Sequence, residues 1–299
     1  LLSKIKEHGA GKTGDIMIGI ISSQMDWNVQ ELSRELKKAE KEVITFAITE
    51  FFTKVSGTPR VRADTVIIDD LDSVFVRWVP GGSAEQIIFR MDVLHRLENM
   101  GVTVINPSTS IEQCADKYYT CSLLEDAGLK TPETVCTEQY QQAMDAFDSM
   151  KDVVVKPLFG SQGIGVMRIT DRDLAHRLFR VLDYGNCVFY LQKFIEHNNE
   201  DYRAFVIGDT VVSSMKRKGD SWKTNFARGA AVEPCTLPDN IQDKAVTAAH
   251  TTGCEYAGVD ILPGEDEYYF IEVNSIPGWR GLQKVTDFCI AKRIVEYFI

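Results

Sequence analysis

The stretch running from Gly258 to Gly278 (GVDILPGEDEYYFIEVNSIPG) carries the residues best suited to chemistry. It reads as two apolar strands joined by a polar turn at residues 263–267. Asp260 lies on the first strand, and Glu272 and Asn274 lie near the end of the second. Side chains two apart on a strand share a face, so Glu272 and Asn274 point the same way. Folding the strands about Glu265 sets Asp260 near Phe270, within diagonal reach of Glu272. Two carboxylates and an amide oxygen then converge among Val, Ile, Leu and Phe. Apolar surroundings do not tolerate two unpaired carboxylates; either a cation neutralises them or their pKa values rise. Hard oxygen ligands, few in number and leaving room for phosphate oxygens and water, suit Mg²⁺ bound to a nucleotide. A solvated strand edge with an Asx-type turn at Asn274-Ser275 fits the same residues, because short acidic patterns are not specific on their own.

Three further features bear on phosphate chemistry. An apolar strand over 152–156 ends in Lys156-Pro157, and the loop Phe159-Gly-Ser-Gln-Gly-Ile-Gly165 leads into another strand, 166–169. Such a loop either folds over phosphates and donates backbone N–H groups, or is a hairpin with a flexible tip. Lys156 at the strand end favours the first reading. The run 216–229 carries Lys216, Arg217, Lys218, Lys223 and Arg228 in a chain of net charge −10. It is either a solvated loop or one side of a pocket for phosphate or carboxylate. Lys117 sits on a helix within Ala115-Asp-Lys-Tyr118. The run Gly9-Ala-Gly-Lys-Thr13 suggests a phosphate loop, but Lys6 stands where the leading glycine belongs and a strand follows instead of preceding it, so it is read as tail.

These residues need a scaffold. From Ile16 the pattern alternates: strand 16–22, helix 29–41, strand 43–48, strand-like runs at 65–68 and 73–78, helix 84–100 and strand 102–105. Strand–helix alternation argues for an open parallel sheet covered on both faces over 16–107. Ser22-Ser-Gln-Met-Asp26 follows the first strand, so the glycine fingerprint of a dinucleotide domain is missing there. A helix and linker over 108–128, a strand at 134–136 and a helix at 139–150 precede the glycine loop. Helices at 173–182, 240–253 and 285–298 and a hairpin around Gly208-Asp209 complete the pattern.

Composition narrows the class. Hydrophobic content of 44 % and charged content of 25 % over 299 residues suit a globular chain of two or three small domains. The net charge argues against a broad nucleic-acid surface. Seven scattered cysteines without a Cys-x-x-Cys pair point to thiols in a reducing cytoplasm instead of a disulfide framework or zinc site. No apolar run approaches the ~20 residues of a membrane span, and no secretory signal is visible.

Taken in order, Ala115-Asp-Lys117, Val154-Val-Lys156-Pro157, Gly160-Ser-Gln-Gly-Ile-Gly165, Asp201-Tyr-Arg203, Thr224-Asn-Phe-Ala-Arg228, Ala257-Gly-Val-Asp260 and Glu272-Val-Asn274 resemble the ATP-grasp superfamily, and within it the RimK-like amino-acid ligases. The resemblance spans about residues 16–298. It implies an α/β and α+β architecture: an N-terminal open parallel sheet domain (16–107, after an extension at 1–15), a central domain with a helix linker and glycine loop (108–195), and a C-terminal domain with the metal site (196–299). ATP is clamped between the last two.

Carried over residue by residue, the resemblance puts Lys117, Lys156 and the loop residues Gly160, Ser161, Gly163 and Gly165 on ATP phosphates. Gln192, Lys193 and Phe194 form the adenine-side hinge, and Asp201 holds the ribose. Lys223, Thr224 and Asn225 line the nucleotide and substrate pocket. Asp260, Glu272 and Asn274 bind Mg²⁺, with two ions expected and Mn²⁺ as a substitute. Arg203 and Arg228 stabilise the reacting phosphate and carboxylate. Lys193 departs from the glutamate that relatives often carry there, which leaves a backbone role at the hinge. Lys223 stands where an arginine may stand, which loses a bidentate fork.

The implied reaction transfers the ATP γ-phosphate to a carboxylate, and an amine displaces phosphate from the acyl phosphate. Segments 77–98, 104–107 and 156–160 look like the branch that adds L-glutamate to tetrahydromethanopterin. Small-molecule partners follow, L-glutamate and an acceptor carboxylate, with no nucleic acid or membrane and with homo-oligomerisation left open. A protein C-terminus or an amino-group carrier protein as acceptor is the alternative within the class. A non-catalytic nucleotide-binding regulator is the alternative outside it.

Overall fold

A computed structural model describes residues 17–160, 163–224 and 230–299. Ser161, Asn225, Arg228, the run 9–13 and the N-terminal extension lie outside the described residues. The chain forms two compact units. Among the described residues the first comprises Met17–Ile111 with Gly278–Arg280 and Phe288–Ile299; the second comprises Glu112–Pro277 and Gly281–Asp287.

In the first unit, β1 (Met17–Ile21), α1 (Trp27–Lys38) and β2 (Glu42–Phe46) are followed by β3 (Phe51–Thr53), β4 (Val61–Ala63), β5 (Val66–Ile67), β6 (Ser73–Val76), α2 (Ala84–Asn99) and β7 (Thr103–Ile105). The main sheet has the order β2-β1-β6-β7 and is parallel throughout, as the alternation predicts. Ile18, Ile20, Ile21, Val74, Phe75 and Val76 are buried in near-continuous runs, as a sheet covered on both faces requires. α1 starts at Trp27, ahead of the expected Val29, because Asp26 caps it and accepts from the Val29 N–H at 2.8 Å. A small antiparallel sheet, β3-β4-β5, was expected only at its last strand. Its other two strands are three residues each, too short to show a period. The closing helix starts at Ile290, later than the expected 285, and its Phe298 ring meets Phe75 edge-on at 5.7 Å.

The expected single helix after residue 108 is two, α3 (Ser108–Ala115), whose residues from Glu112 on belong to the second unit, and α4 (Lys117–Asp126). Asp116 adopts an extended conformation between them and caps α4 by accepting from the Tyr119 N–H at 3.0 Å. Lys117 is thereby placed at the first position of α4. β8 (Thr134–Thr137), α5 (Tyr140–Met150), β9 (Val153–Val155), β10 (Met167–Ile169), α6 (Arg172–Tyr184) and β11 (Phe189–Lys193) build an antiparallel sheet of order β10-β9-β11-β8. One face packs on α5 and α6 through Met144, Phe147, Val153, Val155, Phe179 and Leu191. β9 and β10 pair antiparallel on either side of the glycine loop, in the strand–loop–strand order read from the sequence.

A second antiparallel sheet follows, of order β14-β13-β12-β15-β16: β12 (Glu200–Ile207), β13 (Thr210–Lys218), β14 (Ala231–Pro234), β15 (Tyr256–Pro263) and β16 (Tyr268–Asn274), with α7 (Asp239–Thr251) inserted before β15. Ala204, Val206, Val259, Ile261, Phe270 and Val273 pack on Ala245, Ala248 and Ala249 of α7. Strand alternation turns Asp201, Arg203, Arg217, Asp260 and Glu272 to the opposite face.

Candidate active site

The polar face of the second sheet brings together residues far apart in the chain. Arg203 stands opposite Asp260, and Arg217 opposite Asp201. Arg203 grips Asp260 bidentately, at 2.5 and 2.8 Å. Arg217 grips Asp201 in the same way, at 2.5 and 2.7 Å, and sends Nη2 to Asp260 Oδ1 at 2.7 Å. Thr224 Oγ1 donates to Asp201 Oδ2 at 2.5 Å. Burial would raise the Asp260 carboxyl, but Arg203 and Arg217 override it and hold it below the ordinary carboxylate range. Burial likewise disfavours the Arg217 charge, and Asp260 and Asp201 reverse that. Sequence reasoning placed Arg217 only in a basic run. The available signal was strand alternation, which sets it on the face of Asp201 and Asp260.

The register of the acidic hairpin corrects the expected one. Asp260 is paired with Glu272 directly and Gly258 with Asn274, while Ile261 pairs with Phe270. Ile271 is the extra residue of a bulge between the two registers. The bulge lets Ile271 and Glu272 both line the cleft while Phe270 and Val273 stay in the core. Asn274 Nδ2 donates to Gly258 O at 3.2 Å and approaches Asp260 Oδ2 at 3.4 Å, leaving Oδ1 as an acceptor.

Gly258 is required by close approach: a Cβ there would sit 2.4 Å from Arg203 Nη1 and 3.1 Å from its Cδ. Gly258→Ala is expected to push the guanidinium off Asp260. It should lower turnover at least about tenfold, since charge-assisted pairs contribute ~1.5–3 kcal/mol, while far-ultraviolet circular dichroism stays unchanged. Steady-state phosphate release checks this, and unchanged turnover would remove the geometric role.

A cleft runs between the polar faces of the two sheets of this unit. Lys117, Lys156, Gly160, Gly163, Gln192, Lys193, Phe194, Asp201, Lys223, Thr224, Asp260 and Glu272 all line it, each of them singled out from sequence. Gly165, Arg203 and Asn274 do not line it. Gly165 instead shapes the loop: its φ is +74°, and a Cβ would meet Pro157 Cγ at 2.9 Å. Lys117 Nζ donates to Gly160 O at 2.6 Å, and Lys223 Nζ donates to Val166 O at 2.6 Å, so two cations reach the glycine hairpin from other elements.

Lys156 Nζ donates to Gln192 Oε1 at 2.6 Å, and Gln192 Nε2 donates to Thr134 Oγ1 at 3.0 Å. The Gln192 side chain is thus turned to the lysine. Desolvation lowers the Lys156 pKa, with Lys117 adding to the effect and Glu272 and Asp260 opposing it. At the hinge, Lys193 N and Phe194 N donate to Glu133 O and Asp152 O. Arg168, held bidentately by Asp152, lies 3.4 Å from the Phe194 ring centroid. Val154, Val166, Trp222, Leu262 and Ile271 supply apolar walls that sequence reasoning did not single out.

The donor set fits a hard cation. Among the described residues no hydrogen bond or ion pair reaches the Glu272 carboxylate, and desolvation followed by repulsion from Asp260 raises its pKa. Asp260 is paired with it across the hairpin, and Asn274 follows two residues on with its amide nitrogen on Gly258 O and Asp260. No group of three His, Cys, Asp or Glu side chains converges among the described residues, so phosphate oxygens and water would complete the shell.

This arrangement of two antiparallel sheets closing on a lysine-lined cleft is the ATP-grasp fold. PsnB, an ATP-grasp ligase solved with its minimal precursor, Mg and ADP, superposes with a TM-score of 0.71 at 20 % identity, covering 94 % of this chain and 96 % of that one. Residues 114–298 match the RimK-like ATP-grasp domain. The tetrahydromethanopterin:alpha-L-glutamate ligase of Methanococcus maripaludis is 33 % identical over 93 % of this chain and 96 % of its own length. The alpha-aminoadipate–LysW ligase LysX of Sulfurisphaera tokodaii is 26 % identical over 94 % and 97 %. The chain belongs to the RimK-like ATP-grasp family and is an enzyme of the ligase class. No helix among the described residues is long and apolar enough to cross a membrane.

Proposed function

We propose that this ligase uses ATP and Mg²⁺ to join L-glutamate to the carboxylate tail of a small pterin cofactor of the tetrahydromethanopterin type. The observation that carries the nucleotide half is the cleft, which Lys117 and Lys156 line together with Asp260 and a Glu272 carboxylate that no described residue pairs. The near full-length likeness to pterin:glutamate ligases supports the acceptor.

Lys117, Lys156 and the glycine N–H groups hold and neutralise the phosphates. Asp260, Glu272 and Asn274 would hold Mg²⁺, with Mn²⁺ as a substitute and two ions expected. The ion supplies charge neutralisation on the transferring phosphoryl group. The apolar walls take the base, and Asp201 faces the ribose. Arg203, one strand from Asp260, and Arg228 stabilise the developing oxyanion as the amine adds to the acyl phosphate. The glycine hairpin and Lys223, already tied together through Val166 O, keep water from the activated carboxyl. Seven free thiols suit a reducing cytoplasm.

Phosphate release from MgATP and L-glutamate, with acceptors added one at a time, tests the reading. Release with a glutamyl-tailed pterin that gains one glutamyl residue in mass is the expected result. The LysX relatives favour an amino-group carrier protein as a second acceptor, and release with such a carrier alone would move the acceptor and keep the ligase. ATP binding without acceptor-stimulated release under any condition would favour a regulator.

A further inference from the structure

Outside the cleft, the second unit holds two thiols in contact. Cys114, in the last turn of α3, places Sγ 3.6 Å from Sγ of Cys254, which lies in the turn between α7 and β15. The two are 140 residues apart in sequence. Their surroundings differ. Cys254 is buried, at 2 % exposure, and its sulfur accepts from Thr252 Oγ1 at 3.5 Å. Cys114 is half-buried at the edge of the apolar core that Cys254 helps to form. A disulfide needs its sulfurs at about 2.05 Å, so this pair at 3.6 Å must close by roughly 1.5 Å.

We propose that Cys114 and Cys254 form an oxidative modification site, in which a peroxide oxidises Cys114 and Cys254 resolves it to an intrachain disulfide. The Cys114 thiolate attacks one peroxide oxygen, the O–O bond breaks, and hydroxide leaves as Cys114 becomes a sulfenic acid. The Cys254 sulfur then attacks the Cys114 sulfur, the S–O bond breaks, and water leaves. Two thiols lose two electrons and two protons, and hydrogen peroxide becomes two waters. The asymmetry supports the order of events: a hydrogen bond from Cys254 stabilises the Cys114 thiolate against its burial, while the same contact and burial keep the proton on Cys254.

The cross-link has a structural consequence. Cys114 lies three residues before Lys117, whose ammonium reaches the glycine hairpin, and Cys254 leads directly into β15, which carries Asp260. Joining them ties the turn at Asp116 to the base of the acidic hairpin and limits the movement of Lys117 relative to Asp260. Closing a loop of this length also stabilises the fold.

The test treats the full chain with hydrogen peroxide at a few equivalents and follows intact mass, thiol count and melting temperature. None of these depends on the proposed reaction, so failure of that reading is seen separately in the phosphate assay. Expected are a loss of two hydrogens in mass, a thiol count falling from seven by two, and a cross-linked peptide pair containing Cys114 and Cys254. Dithiothreitol should reverse all three, and the melting temperature of the oxidised chain should rise by several degrees. Cys114→Ser should abolish the cross-link. Cys254→Ala should leave Cys114 as a dimedone-reactive sulfenic acid. Cys187→Ser, which removes an exposed thiol, should change nothing. Retention of all seven thiols, a cross-link between another pair, or over-oxidation of Cys114 without a cross-link would each overturn the proposal.

Discussion

Replacing Glu272 by alanine is expected to abolish acceptor-dependent phosphate release, by about 10³-fold or more, without lowering the melting temperature of the protein. The magnitude follows from the several kcal/mol that a bound divalent ion supplies to phosphoryl transfer, at ~1.36 kcal/mol per tenfold in rate. Glu272 carries most of that role because Asp260 is already gripped by Arg203 and Arg217, and Asn274 is neutral. Stability moves the other way. The Glu272 carboxyl is raised by desolvation and by Asp260, so the folded chain binds its proton more readily than the unfolded chain. Its ionisation therefore costs stability as pH rises from the ordinary carboxylate range through the raised folded value, and without metal that cost is complete above the raised value. Removing the side chain removes the cost. Thermal melts without metal and with MgATP distinguish the roles: the parent should gain stability with MgATP, and Glu272→Ala should gain far less. Near-parental turnover would sink the metal assignment, and a large drop in melting temperature would make Glu272 structural.

The second large effect is expected at Arg217. Its guanidinium bridges two buried carboxylates, and Arg217→Met fills the volume without the charge. Among the described residues Asp201 is left with Thr224, and Asp260 keeps Arg203 and the Asn274 amide. Breaking a buried pair from one side costs about 3–5 kcal/mol, because the remaining charge is uncompensated. For a domain of this size that corresponds to a fall on the order of 10 °C in melting temperature. Turnover should be lost with it. The pH dependence gives a second readout. Asp260 is held low by Arg203 and Arg217 despite burial, so its contribution is present above the unfolded carboxylate pKa and is lost as pH falls through the depressed folded value. Without Arg217 that folded value rises, and acid destabilisation should set in at higher pH. Arg217→Lys keeps one charge but cannot bridge both carboxylates, and should fall between the two. A methionine variant as stable as the parent would show that the bridge is dispensable to the fold.

Much of this site was legible in the amino-acid sequence. Strand alternation put Glu272 and Asn274 on one face, apolar periodicity outlined the parallel sheet of the first unit, and the order of Lys117, Lys156, the glycine loop and the Asp260 hairpin identified the family. These signals live in windows of a few residues or in their order, and no distant partner is needed to read them. What the sequence left open depends on such partners. The one-residue bulge at Ile271 pairs Asp260 with Glu272 instead of Phe270, and a hairpin counted about its turn has no means of showing it. The break at Asp116 that sets Lys117 at a helix start is a capping decision between helix and turn. Arg217 looked like one charge in a basic run until β12 placed Asp201 opposite it. The bond from Lys156, just past the end of the neighbouring strand, to the Gln192 side chain likewise needs the β9–β11 pairing. Cys114 and Cys254 meet only because α7 returns the chain to the end of α3. Residue type and local period determined which groups are present and which way each strand faces; which buried charge meets which was decided by strand order and register, since desolvation makes each such charge depend on its partner.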